Sequence, residues 1–142
     1  IVYDLYCGTG SIAITLAPHA KKLIGIELAE SAITNAEKNV QRNQVSNCQF
    51  VHGDMRQVLK EIREKPDVII VDPPRSGMHG DVVNALLEML PEKIVYVSCN
   101  PSTQARDLEL LCRDQYTISQ IQPVDLFPHT YHIENVVKLV RN

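Results

Sequence analysis

Apolar positions in this chain follow two alternating rhythms: short continuous runs, and longer stretches in which they recur every three or four residues. Ile1–Tyr6 is an apolar run ending at glycines and predicts a buried strand. Ser11–Leu16 predicts a helix halted near Pro18, and Lys22–Glu27 a second strand. Ala29–Arg42 carries Ala32, Ile33, Ala36 and Val40 at helical spacing, and Cys48–His52 returns to strand. Met55–Arg63 places Val58, Leu59 and Ile62 on one helical face. Val68–Val71 is apolar throughout, as a strand covered on both faces must be. Asp81–Leu90 predicts a helix closed by Pro91, Ile94–Ser98 a strand, and Thr103–Arg113 a helix with Pro101 near its start. Tyr116–Val124 and Asn135–Val140 are the last two strands.

This order, strand then helix five times and then two strands, argues an α/β fold with a mostly parallel seven-stranded sheet and helices on both faces. Only the loop Asp125–Glu134 separates the last two strands, too short for a parallel crossover, so an antiparallel last strand is expected. At 142 residues and 44% hydrophobic, the chain suits a single domain, 1–142, with a real core. It opens inside an apolar run without Met, and is expected to be a fragment of a longer protein. No run reaches the roughly 20 residues that span a bilayer, so no membrane partner is expected. Net charge is −3, which gives no general field for nucleic acid. Cys7, Cys48, Cys99 and Cys112 are widely spaced, which argues against a zinc site or disulfide framework and for free thiols in a reducing cytoplasm. A monomer is expected.

The first candidate site is Asp4-Leu5-Tyr6-Cys7-Gly8-Thr9-Gly10, between a strand and a helix. Its glycines let the backbone turn sharply and approach a ligand closely. Glu27 ends the next strand, where a carboxylate accepts ribose hydroxyls. Alone, these are a tight turn and an exposed acid; together, in a β-α-β setting, they favour nucleotide binding. Gly8-Thr9-Gly10-Ser11-Ile12-Ala13 also matches the dinucleotide fingerprint, which makes a dinucleotide-dependent oxidoreductase the rival reading. Against it, a buried Asp4 needs a partner, which a cationic cofactor supplies and a pyrophosphate does not. Gly53-Asp54, after the third strand, suits an adenine amino group. This half resembles the class I methyltransferases, a Rossmann-like fold; in that resemblance Glu27 takes the ribose and Asp54 the adenine.

The second half carries Asp72-Pro73-Pro74-Arg75-Ser76-Gly77 after the fourth strand. Two prolines stiffen the backbone around Asp72. Arg75 stands where amine-directed methyltransferases place an aromatic residue, and suits a phosphate or carboxylate. Ser98-Cys99-Asn100-Pro101 follows the fifth strand. Cys7, Cys48 and Cys112 read as small buried hydrophobes. Cys99 lies just before a helix N-terminus, where a thiolate is favoured, and is a candidate nucleophile. The loop before the last strand gathers Phe127, His129, Tyr131, His132 and Glu134. A metal on His129, His132 and Glu134 is disfavoured by their spacing.

Taken in order, Asp72-Pro73-Pro74-Arg75-x-Gly77, Ser98-Cys99-Asn100-Pro101-x-Thr103 and Asp125-x-Phe127-Pro128-His129-Thr130-x-His132-x-Glu134 resemble the RNA 5-methyluridine (uracil-5-) methyltransferases across the whole chain. The resemblance implies methyl transfer from S-adenosyl-L-methionine to carbon 5 of a uridine in RNA, ribosomal RNA ahead of transfer RNA. It implies Cys99 as the nucleophile on carbon 6 and Glu134 as the base. It assigns Tyr6, Gly8, Gly10, Ser11, Glu27, Asp54 and Asp72 to the cofactor, and Arg75, Phe127 and His129 to the substrate. It also implies an upstream cofactor-contacting glutamine and an auxiliary RNA-binding domain, with an iron–sulfur cluster upstream in some members. Two rivals are a cytosine-directed enzyme, whose second cysteine motif is missing near Asp72, and a non-catalytic RNA-binding module of the same fold.

Overall fold

A computed structural model describes residues 1–142. The strands are β1 (Val2–Leu5), β2 (Leu23–Glu27), β3 (Cys48–His52), β4 (Val68–Val71), β5 (Lys93–Ser98), β6 (Tyr116–Val124) and β7 (Glu134–Arg141). The helices are α1 (Ser11–Leu16), α2 (Glu30–Arg42), α3 (Met55–Glu61), α4 (Gly80–Met89) and α5 (Pro101–Leu111), with a 3-10 turn at Ala17–His19. The strands form one seven-stranded sheet in the order β3-β2-β1-β4-β5-β7-β6. The chain divides into two compact units, residues 1–69 and 70–142.

In the first unit β1, β2 and β3 pair in parallel, with Leu5 opposite Ile26 and Glu27 opposite His52. Ala13, Ala17 and Leu23 form a small core, packed by Val2, Leu16, Val45, Cys48 and Phe50. Phe50 explains two glycines. A Cβ at Gly25 would lie 2.5 Å from its ring, and one at Gly10 would lie 2.7 Å from it.

In the second unit β7 runs antiparallel to both β5 and β6. The expected antiparallel last strand is therefore present, and it sits between its neighbours rather than at the edge. The edge belongs to β6, exposed on nearly every residue after Tyr116. Two polar residues lock the interior. Gln104 of α5, buried, donates to the Tyr96 carbonyl (3.0 Å) and the Asn135 carbonyl (3.1 Å), and accepts from the Asn135 amide (2.7 Å). Asp107, 1% exposed, accepts from the Tyr96 hydroxyl (2.6 Å), the Met78 N–H (2.8 Å) and the Arg106 guanidinium (2.7 and 2.9 Å).

Element boundaries differ from the periodic pattern where capping decides them. The expected Thr103–Arg113 helix begins at Pro101, because the Asn100 side chain accepts the Ser102 N–H (3.1 Å) and proline sits in the first turn. The expected Met55–Arg63 helix stops at Glu61, where Ile62 turns extended. The helix expected from Asp81 starts at Gly80, with the His79 ring accepting the Asp81 N–H (3.1 Å). No helix is long and apolar enough to cross a membrane.

Candidate active site

Each unit carries its own cluster of candidate residues. In the first, Tyr6, Gly8 and Gly10 all adopt the left-handed conformation, with φ of 63°, 52° and 80°. The turn closes through a Gly10 N–H bond to the Cys7 carbonyl (2.9 Å), and α1 begins at Ser11. Glu27 is tied to this loop: one carboxylate oxygen accepts the Gly8 N–H (3.1 Å), the other the Ala29 N–H (2.9 Å). Each oxygen has a second lone pair left for a hydroxyl. A Cβ at Gly8 would meet nothing within 4 Å, so there is open space beside that backbone. An oriented carboxylate beside an open glycine turn fits a ribose-bearing cofactor.

Asp4 has a protein partner that the sequence did not show. It is buried, and one carboxylate oxygen accepts the Ala13 N–H (3.1 Å) in the first turn of α1. A helix N-terminus has unpaired N–H groups and a positive dipole end, and an anion there satisfies both. One carboxylate oxygen of Asp4 thus anchors α1. Asp54 is also engaged within the protein. It caps α3 through the Arg56 N–H (2.9 Å) and receives the Arg56 guanidinium on both oxygens (2.5 to 3.1 Å). An adenine amino group would share that carboxylate with Arg56, a residue to which sequence reasoning gave no role. Ser11 is exposed at the start of α1.

Only Cys7 of the three cysteines read as core is fully buried; Cys48 and Cys112 are half-buried. Burial, with the charges of Asp4 and Glu27, pushes the Cys7 thiol up to about 12. Burial raises Cys48 and Cys112 as well.

In the second unit the ladder between β5 and β7 pairs Ser98 with Asn135. The next residues outward are Cys99, just past the end of β5, and Glu134, the first residue of β7. Arg75 and Cys99 line one cavity of about 290 Å³, with Asn100, Pro101, Tyr131 and His132. The Arg75 carbonyl accepts the Asn100 amide (3.0 Å) and the Thr103 hydroxyl (3.1 Å), which ties the Asp72–Gly77 loop to the start of α5. At Gly77, φ is +77°, and a Cβ would lie 2.7 Å from both Arg106 and Asp107. Glu134 is held above the usual carboxylate range by burial and then by Asp72, while Arg75 pulls it down. Burial raises Asp72 too.

Phe127 and His129 lie outside the cavity lining. Phe127 meets the edge of the His132 ring at 6.4 Å, and His132 does line it. His129 adopts φ of 68° at the turn of the loop. Tyr131 and Ile133 line the cavity although sequence reasoning gave them no role; their place beside His132 and Glu134 in the third motif was the available signal. His129, His132 and Glu134 do not gather into a metal-binding group.

The family model for tRNA (Uracil-5-)-methyltransferase matches residues 2–142. The chain belongs to that family. Relatives named uncharacterized RNA methyltransferases include one from Porphyromonas gingivalis, 52% identical over all of this chain and 32% of its own length. Another, from Caldanaerobacter subterraneus subsp. tengcongensis, is 49% identical over 95% of this chain and 30% of its own. The chain therefore spans about a third of the length of the curated relatives it matches. Among solved structures, the Pyrococcus abyssi tRNA (uracil-54, C5)-methyltransferase in complex with S-adenosyl-L-homocysteine superposes with a TM-score of 0.87 at 42% identity, over 98% of this chain and 34% of that one. An rRNA methylase from Streptococcus thermophilus, 15% identical with a TM-score of 0.78 over 99% of this chain and 85% of that one, shares the fold. The uracil-5 family match removes the dinucleotide fingerprint as a competing explanation of the glycine turn.

Proposed function

We propose that this chain carries the catalytic part of an S-adenosyl-L-methionine-dependent enzyme, acting as a monomer, that methylates carbon 5 of a uridine in RNA. The observation that carries the reading is the pairing of Ser98 with Asn135, which puts Cys99 one residue past the end of β5 and Glu134 at the start of the neighbouring β7, with Arg75 on the same cavity as Cys99. Family membership and the cofactor product named with the archaeal neighbour support it.

Glu27 would receive the ribose hydroxyls, and Asp54 the adenine, beside the Tyr6–Ser11 turn. When bound, the cofactor supplies an electrophilic methyl group on a sulfonium. The Cys99 thiolate adds to carbon 6 of uracil, and the electrons of the carbon 5–carbon 6 double bond pass to the ring as an enolate, so carbon 5 becomes nucleophilic. After carbon 5 is methylated, Glu134 takes its proton. The pair left behind re-forms the double bond as the carbon–sulfur bond breaks and the thiolate returns. A raised Glu134 suits this, because a base works best with a pKa nearer the working pH. Arg75 would hold a phosphate of the RNA.

The test is a covalent adduct between the full-length protein and RNA containing 5-fluorouridine, which lacks the carbon 5 proton. An adduct with wild type and none with Cys99→Ala is expected; an adduct that survives the substitution would remove Cys99 from this role. Ribosomal and transfer RNA supplied as separate substrates decide between them. Methylation of transfer RNA alone would overturn the expectation of ribosomal RNA.

A further inference from the structure

Tyr131 is the most exposed of the large hydrophobic side chains at 91%, yet it lines the cavity that holds Cys99. Its ring centroid is 4.2 Å from that of His132, with the planes at 41°. Phe127, 48% exposed, meets the His132 ring edge-on at 6.4 Å. The loop beneath is braced. Thr130 donates its N–H (3.2 Å) and hydroxyl (2.7 Å) to the Phe127 carbonyl, and its hydroxyl oxygen accepts the His132 N–H (3.2 Å). Leu126 and Ile133 are exposed on the same loop. An aromatic ring left almost wholly in water, on a braced turn at the mouth of a reactive cavity, adds nothing to the core. It does present a flat apolar surface.

Building on the uridine-methylating reading, we propose that Tyr131, backed by His132, is a stacking platform for an unpaired base next to the nucleotide that enters the Cys99 cavity. A chain of net charge −3 has little general attraction for phosphate, so contact with base faces matters more here than in a basic protein. Every base offers such a face. The platform therefore selects for single-stranded or splayed RNA at this position rather than for a sequence. Arg75 on the same cavity supplies the charge that the platform lacks.

The test uses the full-length protein and a fluorescein-labelled single-stranded oligouridylate with 5-fluorouridine at its centre. A matched strand carries an abasic ribose beside the fluorouridine. Anisotropy reads binding without chemistry, and gel-resolved adduct reads chemistry. Tyr131→Ala and Tyr131→Leu are expected to weaken binding of the intact strand roughly 10- to 100-fold, and Tyr131→Phe to stay within about threefold of wild type. On the abasic strand wild type and Tyr131→Ala should coincide. The salt dependence should keep its slope in Tyr131→Ala, because no charge is removed, and lose slope in Arg75→Ala. Unchanged melting temperatures would confirm that each variant is folded. Equal binding of the intact strand by wild type and Tyr131→Ala overturns the platform, as does a Phe variant as weak as Ala, or a wild type that does not bind the strand. If the binding pattern holds while no variant forms adduct, the platform stands and the Cys99 reaction is what fails.

Discussion

Ser98 on β5 is paired with Asn135 on β7, although 37 positions separate them in the chain. The pairing is reinforced by the buried Gln104, which bonds both the backbone and the side chain of Asn135. Strand register thereby sets where Cys99, just past Ser98, and Glu134, just before Asn135, stand, and these are the proposed nucleophile and base; a slip of one residue would move both.

Glu134→Gln should separate the two halves of the proposed reaction. The amide cannot take up the carbon 5 proton, so turnover falls about 10²- to 10⁴-fold. Addition by Cys99 needs no such base, so the methylated covalent complex should accumulate with ordinary uridine RNA. A denaturing gel would resolve it, and rapid turnover without accumulation would exclude Glu134.

Activity should depend on pH through Glu134. The base must be ionised, so the rate falls as pH drops through its raised pKa. Arg75 opposes the rise and Asp72 adds to it, after burial. Arg75→Ala is therefore expected to move the acid limb of the single-turnover profile to higher pH, and Asp72→Asn to lower pH. The effect on stability has the opposite sign. A carboxyl whose pKa is higher folded than unfolded binds more protons in the native state. Its stabilisation is complete below the unfolded value and is lost as pH rises through the folded one.

Gly8 and Gly10 should fail differently when changed to alanine. Both have positive φ, which costs roughly 1 kcal/mol for a residue with a Cβ. At Gly10 the new Cβ also meets the Phe50 ring at 2.7 Å, so Gly10→Ala should lower the melting temperature more. At Gly8 the Cβ enters open space. Gly8→Ala should stay folded and lose affinity for S-adenosyl-L-homocysteine by calorimetry.

Asp107→Ala should be the most damaging of these substitutions to stability. It removes the carboxylate that accepts from the Tyr96 hydroxyl, the Met78 N–H and the Arg106 guanidinium. Removing one partner of such a buried group costs about 3 kcal/mol or more. Urea unfolding would measure the loss, and a difference below about 1 kcal/mol would contradict the role given to this carboxylate.

Much of this protein is legible in its residues. Continuous apolar runs such as Val68–Val71 and helical spacing in 29–42 determine which segments are strands and which are helices, because the period of burial is local. The glycine turn, Glu27, Cys99 and Glu134 stand out because few structural roles need those residue types after strand ends. Partners distant in the chain are another matter. Nothing near Asp4 in the sequence shows that α1 folds back and gives one of its oxygens the Ala13 N–H. Tyr131 is one more aromatic in a loop until the turn at 127–132 leaves it in water at the Cys99 cavity. In each case the sequence set the chemistry of the side chain, and only tertiary packing decided what it touches, since burial and register depend on segments that are not neighbours in the chain.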